Sequence, residues 1–418
     1  MSSTMIRSED YGLKKLDLIP NHGSGDPVNI TAIMVSMSIF EDIYGAFMKG
    51  IVTVSDATGL LTSLPITGEE HIEIEVETPG LDPIKQTFRV YRVDNRKVIQ
   101  DSLIQYSLHF CSFEMVKDMK SRVSLGFKGE LLSDMVTKVF DEHIKVDKSI
   151  EVEPTLLPHQ MVSADFPASE FILRMSKRAQ SAAHAKGSDY VFYEDRDGFH
   201  FKSIQSLLLD YGVVKDDDAR EEIKWQPSNV DGSQGEAGSS SMRRFEFLNS
   251  VDALEKMADG SMASQLISFD PIQGEVVITD KTGSAMFGET EHLDGNLPFQ
   301  NPAEMEDVNQ AIKMIITDKS EEFTSNRDEY LQTQRHQDGM LKNVLIDIEI
   351  PGRTDRKVGD VVNLLMPAFE RPGNAGRTED NLISSNALIT AIHHMFTQNK
   401  YIQVLQLAKD ASKAAPSS

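Results

Sequence analysis

The sequence predicts an α+β chain that is mainly β, with two strand-rich antiparallel barrels separated by an α/β insertion. Three patterns predict it. Residues 28–120 hold alternating apolar runs broken by turn residues. Between residues 129 and 209 the apolar spacing lengthens to that of helices. Strands then resume near residue 243 and continue almost to the C-terminus, with NVLIDIEIPG (343–352) the clearest.

The elements follow in order. Residues 1–27 are polar and aperiodic, and read as an extended or disordered N-terminal arm. In the first barrel (28–120), Ile33, Val35, Met37 and Ile39 alternate with polar or flexible neighbours. FMKGIVTVSD (47–56) is a second strand ending on Asp56, and a short helix over 57–64 is closed by Pro65. In HIEIEVE (71–77), Ile72, Ile74 and Val76 face one way and Glu73, Glu75 and Glu77 the other. TPGLDP is a turn by composition. KQTFRVYRV (85–93) and SLIQYSLHF (102–110) complete five strands, enough for a small barrel or sandwich.

The insertion (121–210) places Leu132, Met135, Val136 and Val139 on one helix face. A second helix starts near Pro167, aligns Phe171, Met175 and Ala179, and stops at Gly187. DYVFYEDRDGFHFKSI reads as a hairpin turning at Asp197-Gly198. The second barrel is assigned to 211–283 and 320–408, interrupted by a loop excursion over 284–319. It contains a Gly/Ser-rich flexible loop (226–242), a short helix over 251–258 and a polar helix over 325–340. Its strands are RRFEFLNS, SQLISFDP, GEVVITD, NVLIDIEIPG, KVGDVVNLLMP, NALITAIHHMF and KYIQVLQLA, followed by a disordered tail over 409–418.

Composition narrows the function. The chain has 418 residues, more than one hydrophobic core usually holds. A formal charge of −23, from 42 Lys+Arg against 65 Asp+Glu, disfavours a phosphate-binding surface. No apolar run reaches the ~18 residues of a membrane span, and the N-terminus shows no signal-peptide pattern. The single cysteine, Cys111, fits a protein made in a reducing cytoplasm and reads as a small core residue.

Catalytic signatures are absent from the sequence. It has no P-loop, no H-E-x-x-H, no zinc-spaced Cys/His cluster and no G-x-S-x-G elbow. Adjacent His393 and His394 on a strand would face opposite sides, giving one core and one surface histidine. Asp216, Asp217 and Asp218 read as a solvated loop beside Arg220 and Lys224. The 19 methionines are scattered as core filler. No catalytic residue, metal or cofactor is expected.

Two segments carry a family resemblance. VSMSIFEDIYGAFMKGIVTVSDATGLLTSLPITGEEHIEIEVETPG (35–80) resembles the first tube-like domain of central baseplate hub proteins in contractile-tailed phages. The matching positions are Asp42, Tyr44, Gly45, Asp56, Leu64, Ile66, Gly68, Glu69 and Ile72. LIDIEIPGRTDRKVGDVVNLLMP (345–367) is similar to the corner of the second hub barrel, through Ile348, Pro351, Gly352, Gly359 and Asp360. Gly45, Gly68 and Gly359 sit where strands turn, where a positive φ is expected. Residues 225–340 depart most from the family pattern.

The resemblance implies two tube-like barrels per subunit and a homotrimer whose six similar barrels form a pseudo-sixfold ring. The implied partners are the tail tube or a tube adaptor above, the central spike below, the tape measure protein and surrounding baseplate proteins. DNA would pass through the ring without being bound, and Glu69, Glu70, Glu73, Glu75 and Glu77 are candidates for an acidic channel lining. The implied location is the virion tail baseplate, after synthesis in the bacterial cytoplasm. Two alternatives stay open: a tail-associated cell-wall hydrolase with hub-like barrels, and the hub of a phage-derived contractile injection particle. A fused lytic domain needs ~100 or more further residues, and none are left over once barrels and insertion are assigned.

Overall fold

The computed structural model describes residues 9–20, 26–64, 66–100, 103–184, 186–214, 220–225, 238, 240–249, 252–297, 311–317, 327–367, 380 and 383–413. The chain begins with β1 (Gly12–Ile19), β2 (Val28–Asn29), β3 (Met34–Asp42), β4 (Lys49–Asp56) and the short helix α1 (Leu60–Ser63). β5 (His71–Glu77), β6 (Ile84–Gln100), β7 (Leu103–Cys111) and α2 (Phe113–Lys120) follow. The first expectation to fail is the N-terminal arm. β1 pairs antiparallel with β5 over its length and places Leu16 and Leu18 in the core. Leu16 and Leu18 alternating around Asp17, after Lys14 and Lys15, give too weak a periodic signal to recognise from sequence.

The insertion runs through β8 (Gly126–Leu131), α3 (Leu132–His143), β9 (Ile150–Val152), β10 (Pro158–Val162) and α4 (Ala168–Ser176). It closes with β11 (Tyr190–Glu194), β12 (Phe199–Ser203) and α5 (Ile204–Val214). α3 buries Leu132, Met135, Val136, Val139 and Phe140, the stripe its spacing predicts. α4 starts after Pro167 as expected but ends at Ser176, well short of Gly187. The β11–β12 hairpin turns at Asp197-Gly198, where the Asp195 carboxylate accepts both turn N–H groups. All of these but α5, whose Ile204, Leu207 and Leu208 pack into the core of the second half, contribute to one core around Phe140, Phe171, Phe192, Phe199 and Phe201.

The remaining elements are β13 (Glu222–Trp225), β14 (Ser241–Met242), β15 (Arg244–Asn249), α6 (Ala253–Asp259), β16 (Ala263–Asp270) and β17 (Glu275–Thr282). Then come α7 (Gly283–Phe287), β18 (Ile312–Ile316), α8 (Arg327–Leu341), β19 (Val344–Pro351), β20 (Val361–Leu365), β21 (Ser385–Thr397) and β22 (Lys400–Lys409). Contrary to the sequence reading, which put both in the second barrel, β16 and β17 do not join the second strand-rich half. β16 has both edges filled by β17 and by β18, so the three form a separate sheet. β18 itself lies inside the stretch read as a loop excursion. The tail also differs: Lys409, Asp410 and Ser412 are buried, and Ser412 bridges to Asn296. Of the loop read over 226–242, Ser241–Met242 instead form β14, and most of the rest, like Asp216, Asp217 and Asp218, lies outside the described residues.

The main sheet runs in the order β2-β1-β5-β6-β7-β4-β3-β21-β20-β13-β14, with β22 joining β21 to β19 and β19 pairing β15. β21 is the hinge of this arrangement. Its first residues pair with β20 and its last seven, Ala391–Thr397, with β3, while β22 runs along its other edge. The β21–β22 hairpin therefore belongs to both halves. Its tip places Phe396 and Tyr401 in the first core, with Leu108 and Phe110. Its base places Leu388, Ile389, Leu405 and Leu407 in the second, with Ile346 and Ile348. Burying each of these large side chains contributes about 1.5–3 kcal/mol. The hairpin alone thus couples the two halves strongly.

Candidate assembly surfaces and the polar seam

The acidic strand face is real in geometry but not bare in charge. Ile72, Ile74 and Val76 of β5 are buried and Glu73, Glu75 and Glu77 point the other way. Each carboxylate meets a lysine from a neighbouring strand. Glu73 pairs with Lys15, Glu75 lies 3.0 Å from Lys85, and Glu77 lies 2.7 Å from Lys14. Glu69 is exposed. Glu70 is different: it is buried, and its carboxylate accepts from the N–H groups of Thr67, Gly68 and Glu69 and from the Thr67 hydroxyl. Burial alone would raise its pKa, but these hydrogen bonds outweigh it and hold it below the ordinary range. Glu70 is a turn clasp and does not share the exposed face.

The other motif positions are also corner devices. Asp56 ends β4, and its carboxylate accepts from Thr58 N–H and hydroxyl, Gly59 N–H and Leu60 N–H at 2.7–3.1 Å. Burial again opposes these bonds and loses, so Asp56 sits below its usual pKa. Gly68 and Gly359 adopt φ of +91° and +89°, as a turn glycine would. Gly45 does not. That corner is closed by Asp42, whose carboxylate accepts the Tyr44 N–H and whose carbonyl accepts the Gly45 N–H.

The Pro351–Asp360 corner leads into a buried polar seam that sequence reading missed. Arg356 donates to the Pro351 carbonyl and to Gln403 Oε1, both at 2.7 Å, and forks onto Glu221 at 2.6 and 2.8 Å. Gln403 donates to the Arg353 carbonyl and to the Tyr401 hydroxyl. That hydroxyl lies 2.7 Å from His394 Nδ1, and His394 Nε2 lies 3.2 Å from Glu41 Oε1. Glu41 is on β3, His394, Tyr401 and Gln403 are on the shared hairpin, and Glu221 precedes β13. The seam therefore runs from one half of the sheet to the other. Burial would raise Glu221, but the Arg356 guanidinium holds its carboxyl below the ordinary range.

His394 is buried and His393 stacks on Phe40 at 4.4 Å, so the pair faces opposite sides as expected. Among the described residues no group of three His, Cys, Asp or Glu side chains is placed to hold a metal. Burial pushes the Cys111 thiol up to about 11, so it is a poor nucleophile. A cavity of about 450 Å³ opens between the insertion hairpin and the Gly359 corner. There His200 lies 3.0 Å from Asp195 and 3.3 Å from Glu151. Its two ring nitrogens each face a carboxylate. Lys357 pairs with Asp197, tying the corner to the insertion.

No family model matches the chain. It is 19% identical over 393 residues to the probable baseplate hub protein gp334 of Vibrio phage KVP40, covering 90% of this chain and 89% of that protein. Its fold matches a tail protein from Neisseria meningitidis MC58, with a TM-score of 0.56 at 10% identity, covering 97% of this chain and 100% of the other. It also matches the 43 kDa tail protein of prophage MuSo2 from Shewanella oneidensis, with a TM-score of 0.55 at 10% identity over 95% and 98% of the two chains. Among the described residues no helix is long and apolar enough to cross a membrane. The chain is a distant, nearly full-length homologue of a probable phage baseplate hub protein, and it has the fold of phage tail proteins.

Proposed function

We propose that this protein is the structural hub of a contractile-tail baseplate. In this reading each subunit contributes two tube-like barrels, and three subunits form a pseudo-sixfold ring. The ring joins the tail tube, or a tube adaptor, to the central spike and leaves a channel for DNA. The tape measure protein and surrounding baseplate proteins are further partners, and the chain performs no catalysis and needs no cofactor. The observation that carries this reading is the β21–β22 hairpin, shared by two strand-rich halves and locked across them by the polar seam. Two halves held rigidly in one chain are what a threefold assembly needs in order to present six similar positions. The outward face of β5, with Glu69, Glu73, Glu75 and Glu77, is the candidate channel wall.

Light scattering coupled to size exclusion tests the reading. The expected mass is near three times 46.6 kDa, followed by sixfold-like rings in electron micrographs. A stable dimer would overturn it.

A further inference from the structure

The three-stranded sheet has one packed face and one bare face. On the packed side Leu266 is buried, and Gln332 of α8 donates to the carbonyls of Ser264 and Thr279. The register stacks the other side into two cross-strand rows, Ile278–Ile267–Met314 and Val276–Phe269–Ile316. Met314 and Ile316 are each 77% exposed, Ile278 59% and Val276 56%. With Ile312 beside them, these side chains present on the order of 500 Å² of contiguous apolar surface, at the upper end of what a soluble monomer leaves open. A standard interface needs about 800 Å² per partner, so this face would supply most of one side.

The stretches on either side of β18 are acidic in sequence. Residues 298–310 and 318–326 contain Glu304, Glu306, Asp307, Asp318, Glu321 and Glu322 against one lysine, and carry Phe299, Met305, Val308 and Phe323 singly. On the sheet itself, exposed Glu275 and Asp280 of β17 give the apolar face an acidic edge. The complement lies elsewhere on the same chain. β5 pairs with β6 only as far as Arg89, so beyond it β6 has β7 on one edge and no strand on the other among the described residues. That distal stretch exposes Arg96 and Lys97 next to Val98 (72%) and Ile99 (51%). It is an open strand edge that is both basic and apolar.

We propose that the bare face of the β17–β16–β18 sheet docks a second copy of this chain, through the distal edge of that copy's β6. The contact is heterologous, with different surfaces on the two copies, and such contacts close into a ring when the rotation between copies is a whole fraction of a turn. It rests on the ring assembly proposed above and names the surfaces that would build it. Charge favours it: with a net charge of −23, like faces of two copies repel, whereas a basic edge against an acidic rim attracts.

The test uses the full-length chain. Met314→Asp with Ile316→Asp alters the sheet, and Arg96→Glu with Val98→Asp alters the edge. Each pair should weaken self-association by at least about 30-fold, the size of a lost hot spot, while circular dichroism and unfolding midpoints stay those of a folded chain. Mixing the two variants restores one competent contact and should give a mass of two chains, which misfolded proteins would not do. A photo-cross-linker at position 314 should capture residues 92–105 of another copy. If the wild type is trimeric and both variants remain so, or if the cross-link maps elsewhere, this inference falls and the hub reading stands. A wild-type chain that forms no ring overturns both.

Discussion

Tyr401 occupies the space directly over Gly352. A Cβ at position 352 would fall within the Tyr401 ring, against Cγ and both Cδ atoms, and the Gly352 N–H donates to the Tyr401 carbonyl at 2.8 Å. The glycine of the Pro-Gly corner is thus required by close approach, since its φ is not positive. Gly352→Ala should lower stability by about 1–3 kcal/mol, the usual range for overpacking a core. Urea unfolding measures it. Tyr401→Leu in the same background should recover part of that loss, and two simply additive effects would contradict the contact.

His336 on α8 is buried, with its Nδ1 2.6 Å from the Ser261 carbonyl. Burial is the main cause that pushes its pKa down to about 4. In the unfolded chain it titrates near 6.5. Between these values the unfolded state binds the extra proton, so stability falls as the pH drops from about 6.5 to about 4, by about 3 kcal/mol if this group acts alone. Above pH 7 the group is neutral in both states and contributes no slope. Comparing unfolding midpoints of wild type and His336→Gln across that window isolates the effect. Parallel curves would show that His336 binds its proton equally well in the native and unfolded states.

Arg356 and Glu221 form a largely buried, forked ion pair within the seam. Removing one member leaves the other charge in a site built for two. Arg356→Met should therefore destabilise the protein by about 3–5 kcal/mol. Arg356→Met combined with Glu221→Leu should cost less than the sum of the two single changes, because the second removes the stranded charge. Additivity within about 0.5 kcal/mol would mean that the pair is not coupled.

The seam was invisible in the sequence because its members lie far apart in the chain. Arg356 and Glu221 are separated by 135 positions, and only the order of β13, β20, β21 and β22 brings them together. The strands of the first half were legible because β3, β4 and β5 each bury one face, giving the two-residue period. β18 was missed for the opposite reason. IKMII has no polar alternation, since its bare face is apolar too, and it sits between stretches of loop-like composition. α8 was recognised as a helix but not as a buried one. Its inward residues include Gln332, Thr333, His336 and Gln337, which hydrogen-bond their way into the interior, and an apolar count sees nothing there. Of the candidate lining residues, Glu73, Glu75 and Glu77 do share an outward face, while Glu70 faced inward for want of any local sign that three N–H groups awaited it.

That outward face yields the last prediction. The ion pairs from Glu73, Glu75 and Glu77 to Lys15, Lys85 and Lys14 involve half-exposed lysines, so solvent screens them and each contributes little to stability. Replacing the three glutamates with glutamine should leave the fold intact. It would also leave three lysines without their carboxylates, turning a balanced surface into a basic one. If this face lines the channel, an assembled ring of the variant should retain duplex DNA at about 0.1 M salt and release it as salt rises, with the log–log slope of phosphate neutralisation. The wild-type ring should retain none under the same conditions. Fluorescence anisotropy of labelled DNA, read on assembled rings, distinguishes the cases. A variant ring that still ignores DNA would place the β5 face away from the path of the genome, and leave its carboxylate–lysine ladder as a device that keeps three neighbouring strands in register.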